Sequence, residues 1–343
     1  MKKIGIFTLN GNNNYGNKLQ NYALKKVIES QGFKVYTLWP ETFKKIIKRY
    51  LLYIFYFVSC KKRRLNFIKF NKRLNLKYLL NKSKFNKYDY VVVGSDQVWN
   101  TDFSSFTIDY LLPFCNEQKR IAYAASFGIS YINKKYSINF EHELKKFRYI
   151  SVRENDALNI IKKIDSDLTV EVVLDPTMLL DTEEWKKIMK KPKQNVPEKY
   201  ILCYHLGELP LNCKYAIEKY SLENNFEIMN ILDKKNPFYD CGPSEFLYLV
   251  KNASLIVTDS FHSCVFSFLF NKPFLVFERS DENKNMNSRI DTLLEKFRLV
   301  NCRFNGQITD ENLNHNYTDA YKILEMERQK SKDFLERALN LKK

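Results

Sequence analysis

Short aliphatic runs, each giving way to a polar or glycine-bearing loop and then to a helical repeat, set the rhythm of the chain. Lys3–Leu9 reads as a strand, Asn10-Gly-Asn-Asn-Asn-Tyr-Gly16 as the loop after it, and 17–31 as a helix with Leu19, Tyr22, Ala23 and Val27 on one face. Gly32 stops that helix, and 33–38 is the next strand. The same alternation returns at Tyr90-Val-Val-Val93 before Gly94-Ser-Asp-Gln97, at Lys119–Gly128, and at Tyr149–Glu154 before a helix over 156–164. Uninterrupted apolar strands separated by helices predict a parallel sheet buried on both faces. Polar residues collect at the strands' carboxyl ends, where open α/β sheets bind ligands.

A strand over 170–174 meets Asp175-Pro176, which ends it, and this point is read as the entry to a second domain. Strands are expected at 200–206 and 226–232, and a helix at 244–250. The predicted architecture is two Rossmann-like α/β domains facing across a cleft, 1–168 and 169–343. A terminal helix over 317–341, with Ile323, Leu324, Phe334 and Leu335 as its apolar stripe, is expected to pack back on the first domain.

The most informative stretch runs from Asn252 to Phe277. Leu255-Ile-Val257 suits a buried strand, Thr258-Asp-Ser260 a turn and N-cap, Val265–Phe270 a helix stopped by Asn271-Lys-Pro273, and Phe274–Phe277 the following strand. His262 then falls in the first helical turn, where open N–H groups and the helix dipole favour an anion and a neutral imidazole. Two readings of it stand on spacing alone: an acid/base group beside an anion pocket, or a histidine packed in an N-capped core helix.

Composition narrows the classes. The 343 residues carry 56 Lys and Arg against 39 Asp and Glu, a net charge of +17, which invites nucleic acid, an anionic membrane or small anionic substrates as partners. Many lysines are scattered and Asn is abundant, so solvated lysine faces account for much of the charge. The chain shows no basic-aromatic motif of the known nucleic-acid modules, and no nucleic-acid partner is expected. Seven cysteines without a C-x-x-C pair argue against a disulfide framework and a thiolate zinc site. The four histidines are not at metal-ligand spacing, so no metal is expected. Neither G-x-G-x-x-G nor a G-K-[ST] phosphate loop occurs, and no signal peptide opens the chain, which is expected in the cytoplasm.

Residues 41–82 differ in kind. Tyr50–Val58 is an unbroken apolar and aromatic run between basic clusters at Lys44, Lys45, Lys48, Arg49 and at Lys61–Arg64. It is too short for the ~20 residues a membrane-spanning helix needs. It fits either a shallow contact with the inner face of an anionic membrane or a buried segment with solvated ends.

In this order the pieces resemble the polysaccharide pyruvyl transferase family. The stretches that carry the resemblance are Asn14-Tyr-Gly-Asn-Lys-Leu-Gln20, Val93-Gly-Ser-Asp-Gln-Val-Trp-Asn100, Ala122-Tyr-Ala-Ala-Ser-Phe-Gly128, Ile150-Ser-Val-Arg-Glu154, Val173-Leu-Asp-Pro-Thr177, Thr258-Asp-Ser-Phe-His262 and Asn287–Leu294. The resemblance implies a glycosyltransferase-B type fold. It also implies transfer of pyruvate from phosphoenolpyruvate, as co-substrate and with no cofactor required, onto a sugar (nucleotide-linked, lipid-linked or polymeric) of a surface or capsular polysaccharide precursor or exopolysaccharide. It leaves the oligomeric state open. A nucleotide-sugar glycosyltransferase is the rival with the same architecture.

That chemistry assigns the candidates. His262, with Asp259 beside it, is the acid/base pair. Arg153 and Arg289 are expected to hold the donor's phosphate and carboxylate, with Ser260 and Ser263 at the helix start. Some relatives have Arg two positions before the histidine, where this chain has Ser260, so a cation such as Arg279 or Arg289 is expected to substitute. Asn10, Asn14, Asn17, Gln20, Asp96 and Gln97, in the other domain, suit the acceptor sugar's hydroxyls, or else simple turn chemistry.

Overall fold

The computed structural model describes residues 1–41, 47–48, 51–55, 61–278, 288–309, 313–314 and 316–339. Two compact units result, one from 1–179 with 326–343 and one from 180–325. In the first, seven strands pair in parallel in the order β3-β2-β1-β4-β5-β6-β7. They are β1 (Lys3–Phe7), β2 (Lys34–Pro40), β3 (Leu76–Leu79), β4 (Tyr90–Val93), β5 (Arg120–Ala125), β6 (Tyr149–Val152) and β7 (Val170–Val172). In the second, β8 (Tyr200–Tyr204), β9 (Glu227–Asn230), β10 (Leu255–Thr258) and β11 (Phe274–Val276) pair in the order β11-β10-β8-β9, also in parallel. The Val-rich centre of β4 and all six residues of β5 are buried, as helix cover on both faces requires.

Two expectations are corrected. Val170–Val172 does not open a second domain: it pairs with Ile150–Val152 and closes the first sheet's edge. The chain stays with that unit to Leu179, because Leu174 N–H donates to Ser331 Oγ (2.9 Å) and Tyr123 OH donates to Leu174 O (3.0 Å). The boundary therefore falls about ten residues later than 168. Nor is 41–82 a single insertion. The helix Lys62–Phe70 lies on the helix Tyr15–Ser30 through Tyr15–Phe67 and Tyr22–Phe70 ring contacts (5.0 and 6.0 Å), and β3 is a true edge strand. Leu51–Phe55 is helical and exposed, while Tyr50 and 56–58 lie outside the described residues.

The long helix Thr318–Ala338 serves each unit at one end. Near its start Tyr321 OH donates to Phe268 O (2.9 Å) in the second unit. Toward its end Phe334 meets Tyr123 and Tyr149, and Arg337 reaches Glu171 (2.7 and 2.9 Å) in the first.

Strand order reverses direction at one place in each sheet. In the first sheet the neighbours there are β1 and β4, in the second β8 and β10. At such switch points the following loops part and leave a crevice at the carboxyl edge.

Candidate functional site

Each switch point is bridged by side chains from the motif stretches. Between β1 and β4, Thr8 Oγ1 donates to Ser95 O (2.7 Å) and accepts from Gln20 Nε2 (3.0 Å). Asn14 caps the helix Tyr15–Ser30, its carboxamide oxygen accepting from Asn17 N–H (3.2 Å), and Asn17 Nδ2 donates across to Asp96. Gly94 has φ +104°, and a Cβ there would lie 2.3 Å from Tyr123 O, so only glycine lets β4 leave the sheet this closely. Asp96 follows at φ +76°, its carboxylate accepting from Gln97 N–H (2.9 Å). Gln97 Oε1 in turn accepts from Asn100 Nδ2 (2.8 Å). Asn10 is drawn elsewhere: its Oδ1 accepts from the buried ammonium of Lys18 (2.5 Å), which also donates to Asn71 Oδ1 (2.6 Å). Burial lowers the Lys18 pKa to about 7.

Arg153 is the hub of this edge. Its Nη1 donates to Asp175 Oδ2 (2.7 Å), and the guanidinium lies 3.6 Å from Asp96 and 3.9 Å from Glu154, with its side chain 2% exposed. Burial opposes its charge, but Asp175, Asp96 and Glu154 together hold the pKa above the usual arginine value. These acids are themselves tied down. Glu154 Oε1 accepts from Ser126 Oγ, Phe127 N–H and Gly128 N–H (2.8, 3.0 and 3.1 Å). Asp175 accepts from Ser95 Oγ, Thr177 N–H and Thr177 Oγ1 (2.9, 2.9 and 2.6 Å). Five separate motif stretches thus converge on one buried network. In it the guanidinium of Arg153 faces three carboxylates.

In the second unit, β10 runs into Asp259 and Ser260, and the helix Phe261–Leu269 begins. Asp259 spans the β8/β10 switch point, its two oxygens accepting from Leu206 and Gly207 N–H (2.7 and 2.8 Å). It therefore fixes the loop after β8, which also carries His205, a residue missed in the sequence although it sits at a strand's carboxyl end. Ser260 is the N-cap by position, but its hydroxyl does not cap; its N–H donates to Thr258 Oγ1 (3.1 Å). Ser263 is fully buried. His262 is buried with its ring edge-on to Phe261 (centroids 5.3 Å apart, 86°). Arg289, on the helix Ser288–Lys296, places its guanidinium 6.0 Å from the centre of the same Phe261 ring. Asp259, Ser260, His262 and Arg289 are thus gathered at one sheet edge. Arg279 lies outside the described residues.

Comparison with known proteins bears on this arrangement. UDP-GlcNAc 2-epimerase from Methanocaldococcus jannaschii aligns over 100% of both chains at 14% identity and a TM-score of 0.55. The Neisseria meningitidis UDP-GlcNAc 2-epimerase bound to UDP-GlcNAc covers 96% of this chain and 100% of its own at 14% identity and 0.50. A putative UDP-N-acetylglucosamine 2-epimerase from Listeria monocytogenes covers 98% and 90% at 13% and 0.52. Identities this low speak for the fold alone, which is of the glycosyltransferase-B type. No curated protein sequence matches the chain. The sequence model of one enzyme family does, over residues 14–281, a span that takes in the second switch point, β4 at the first, and all but the last of the motif stretches. By that match the chain belongs to the polysaccharide pyruvyl transferase family.

Proposed function

We propose that the protein transfers the three-carbon unit of phosphoenolpyruvate to two hydroxyls of a sugar, forming a cyclic ketal and releasing phosphate. Protonation of the enol's third carbon leaves cationic character at the second, where one sugar hydroxyl adds. The second hydroxyl then displaces phosphate from the same carbon, and both hydroxyl protons leave. One proton is taken up by carbon and phosphate departs with another, so a single acid/base group can serve in turn. His262 is that group on this reading, and Arg289 with the N–H groups that open its helix receives the donor's anionic end. Asp259 acts as a positioning residue through the loop it holds.

The observation that carries the proposal is the gathering of His262 and Arg289 around Phe261 at the carboxyl edge of β10, with Phe261 and His262 inside the family match and Arg289 just beyond its end. Phosphoenolpyruvate as donor, a capsular or other surface polysaccharide precursor as destination, and a cytoplasmic site of action are parts of this reading. So is contact with a membrane through the exposed Leu51–Phe55 helix.

The test is incubation with phosphoenolpyruvate and candidate sugar phosphates. Phosphate release should accompany a product heavier than the acceptor by pyruvate less one water. His262→Ala should lower turnover by ~10²-fold or more with the fold intact, the usual scale for a general acid–base group. Activity within a few-fold of the parent would remove His262 from the mechanism. Turnover of a nucleotide sugar without phosphoenolpyruvate would make the protein a glycosyltransferase instead.

A further inference from the structure

We propose that two copies of this chain pair through the helix Leu211–Asn224, laid antiparallel across a two-fold axis. This helix is apolar on opposite sides. Cys213 and Ile217 are buried against the second sheet, in one cluster with Ile201, Cys203 and Val257. Leu211, Tyr215 and Leu222 stand in water instead, 84%, 70% and 80% exposed. A helix that covers one sheet needs a single apolar stripe, with polar residues on its outer side. Here large apolar residues occupy the outer side as well. Tyr215 and Leu222 follow Leu211 by four and eleven positions, which at 100° per residue leaves all three within about 40° of one another. They form one line about 16 Å long on the helix surface. Single exposed apolar residues need no cause, but a line of three marks a contact surface.

The charges beside that line say what it meets. Lys214 and Glu218 flank it on one side, Lys219 and Glu223 on the other, and within the chain they form i,i+4 pairs at 3.9 and 3.8 Å. All four side chains are more than half exposed. Antiparallel helices bring like flanks together. With the axis passing between positions 216 and 217, Leu211 meets Leu222 of the second copy, and Tyr215 lies against the stem of its Glu218. On one flank Lys214 faces Glu218 of the second copy, and the axis repeats each contact. On the other, Lys219 faces Asn212, and Glu223 lies beside the opening turn of the second copy's helix, where unpaired N–H groups favour a carboxylate. No like charges meet. Such a pattern fits a second copy and not an anionic lipid surface, which would face two carboxylates along with the two lysines. A two-fold contact closes on itself, so pairing stops at two. Because the contact is one helix long, it lies at the small end of specific interfaces, and the dimer depends on concentration.

Sedimentation equilibrium of the whole protein should show monomer and dimer in exchange between ~1 μM and ~1 mM, the span of weak interfaces. Tyr215→Lys, beside the axis, should weaken pairing at least ~10-fold. Its melting temperature should stay that of the parent, since the side chain is exposed in the single chain. Lys214→Glu sets carboxylate against carboxylate twice and should weaken pairing ~10-fold. Adding Glu218→Lys restores opposite signs at both places and should return the affinity to within a few-fold of the parent. Under a mild oxidant, the Leu211→Cys/Leu222→Cys double variant should link two chains, while neither single variant should. A protein that stays monomeric throughout, a dimer indifferent to Tyr215→Lys, a charge swap that fails to rescue, or cross-linking of a single variant would each overturn the pairing.

Discussion

Replacing Arg153 by Ala removes the cation that faces Asp96, Glu154 and Asp175 and leaves three buried acids without their counter-charge. The expected loss is about 3–5 kcal/mol of stability, read from urea denaturation, the range for breaking one side of a buried ion pair. A variant that stays as stable and instead loses phosphoenolpyruvate affinity would restore the donor-binding role that spacing alone suggests. Lys18 makes a second residue-scale prediction. Its pKa in the fold, about 7, lies below the unfolded value of ~10.4. Between those values the unfolded chain holds a proton that the folded one has lost, so this group makes stability rise with pH across that window; below about 7 the gain is gone. Lys18→Met should therefore flatten the climb in urea midpoint between about pH 7 and about pH 9.5. An unchanged slope would mean that the ammonium keeps its proton in the fold. The residues of both sites were legible as motif positions, but their partners were not. Nothing in the spacing of Arg153 says that Asp96 and Asp175 arrive from 57 and 22 positions away in the chain.

At the scale of elements, the unit from β10 through the helix Phe261–Leu269 to β11 was readable almost whole, because its signals are local: aliphatic strand, N-cap, apolar helix and Pro stop. The edge strand β3 was not, and β7, legible as a strand, was given to the wrong domain. Leu76-Lys-Tyr-Leu79 is half exposed, and Val170–Val172 is only three residues long, so neither has the apolar length that marks a central strand. β3 becomes a strand because β2 offers it an open row of hydrogen-bonding groups, and β6 holds β7 in the first sheet in the same way. Placement of the helix Ser288–Lys296 matters for function, since it sets Arg289 against Phe261 beside His262. Arg289→Ala should weaken phosphoenolpyruvate binding by about 1.5–3 kcal/mol, measured by calorimetry, and Lys should recover only part of it. Unchanged donor affinity would separate Arg289 from the anion and leave the helix start to bind it alone.

For the molecule as a whole, the question is where a chain with a net charge of +17 works. Among the described residues no helix is long and apolar enough to cross a membrane. Yet Leu51, Ile54 and Phe55 are 61%, 57% and 50% exposed on one short helix, next to a cavity bordered by Lys48 and Arg64. Apolar side chains left in water beside cations suit an anionic lipid surface, where each nearby Lys or Arg adds roughly 1 kcal/mol and the apolar residues enter the headgroup region. The prediction is that the protein sediments with vesicles containing phosphatidylserine at moderate salt, and that Ile54→Ser/Phe55→Ser releases it with its melting temperature unchanged. Salt should weaken the binding, because the cationic part of the attraction decays over ~8 Å at physiological ionic strength. If the parent protein stays in the supernatant, or the double variant loses stability in place of affinity, the helix is covered by protein and the membrane contact fails.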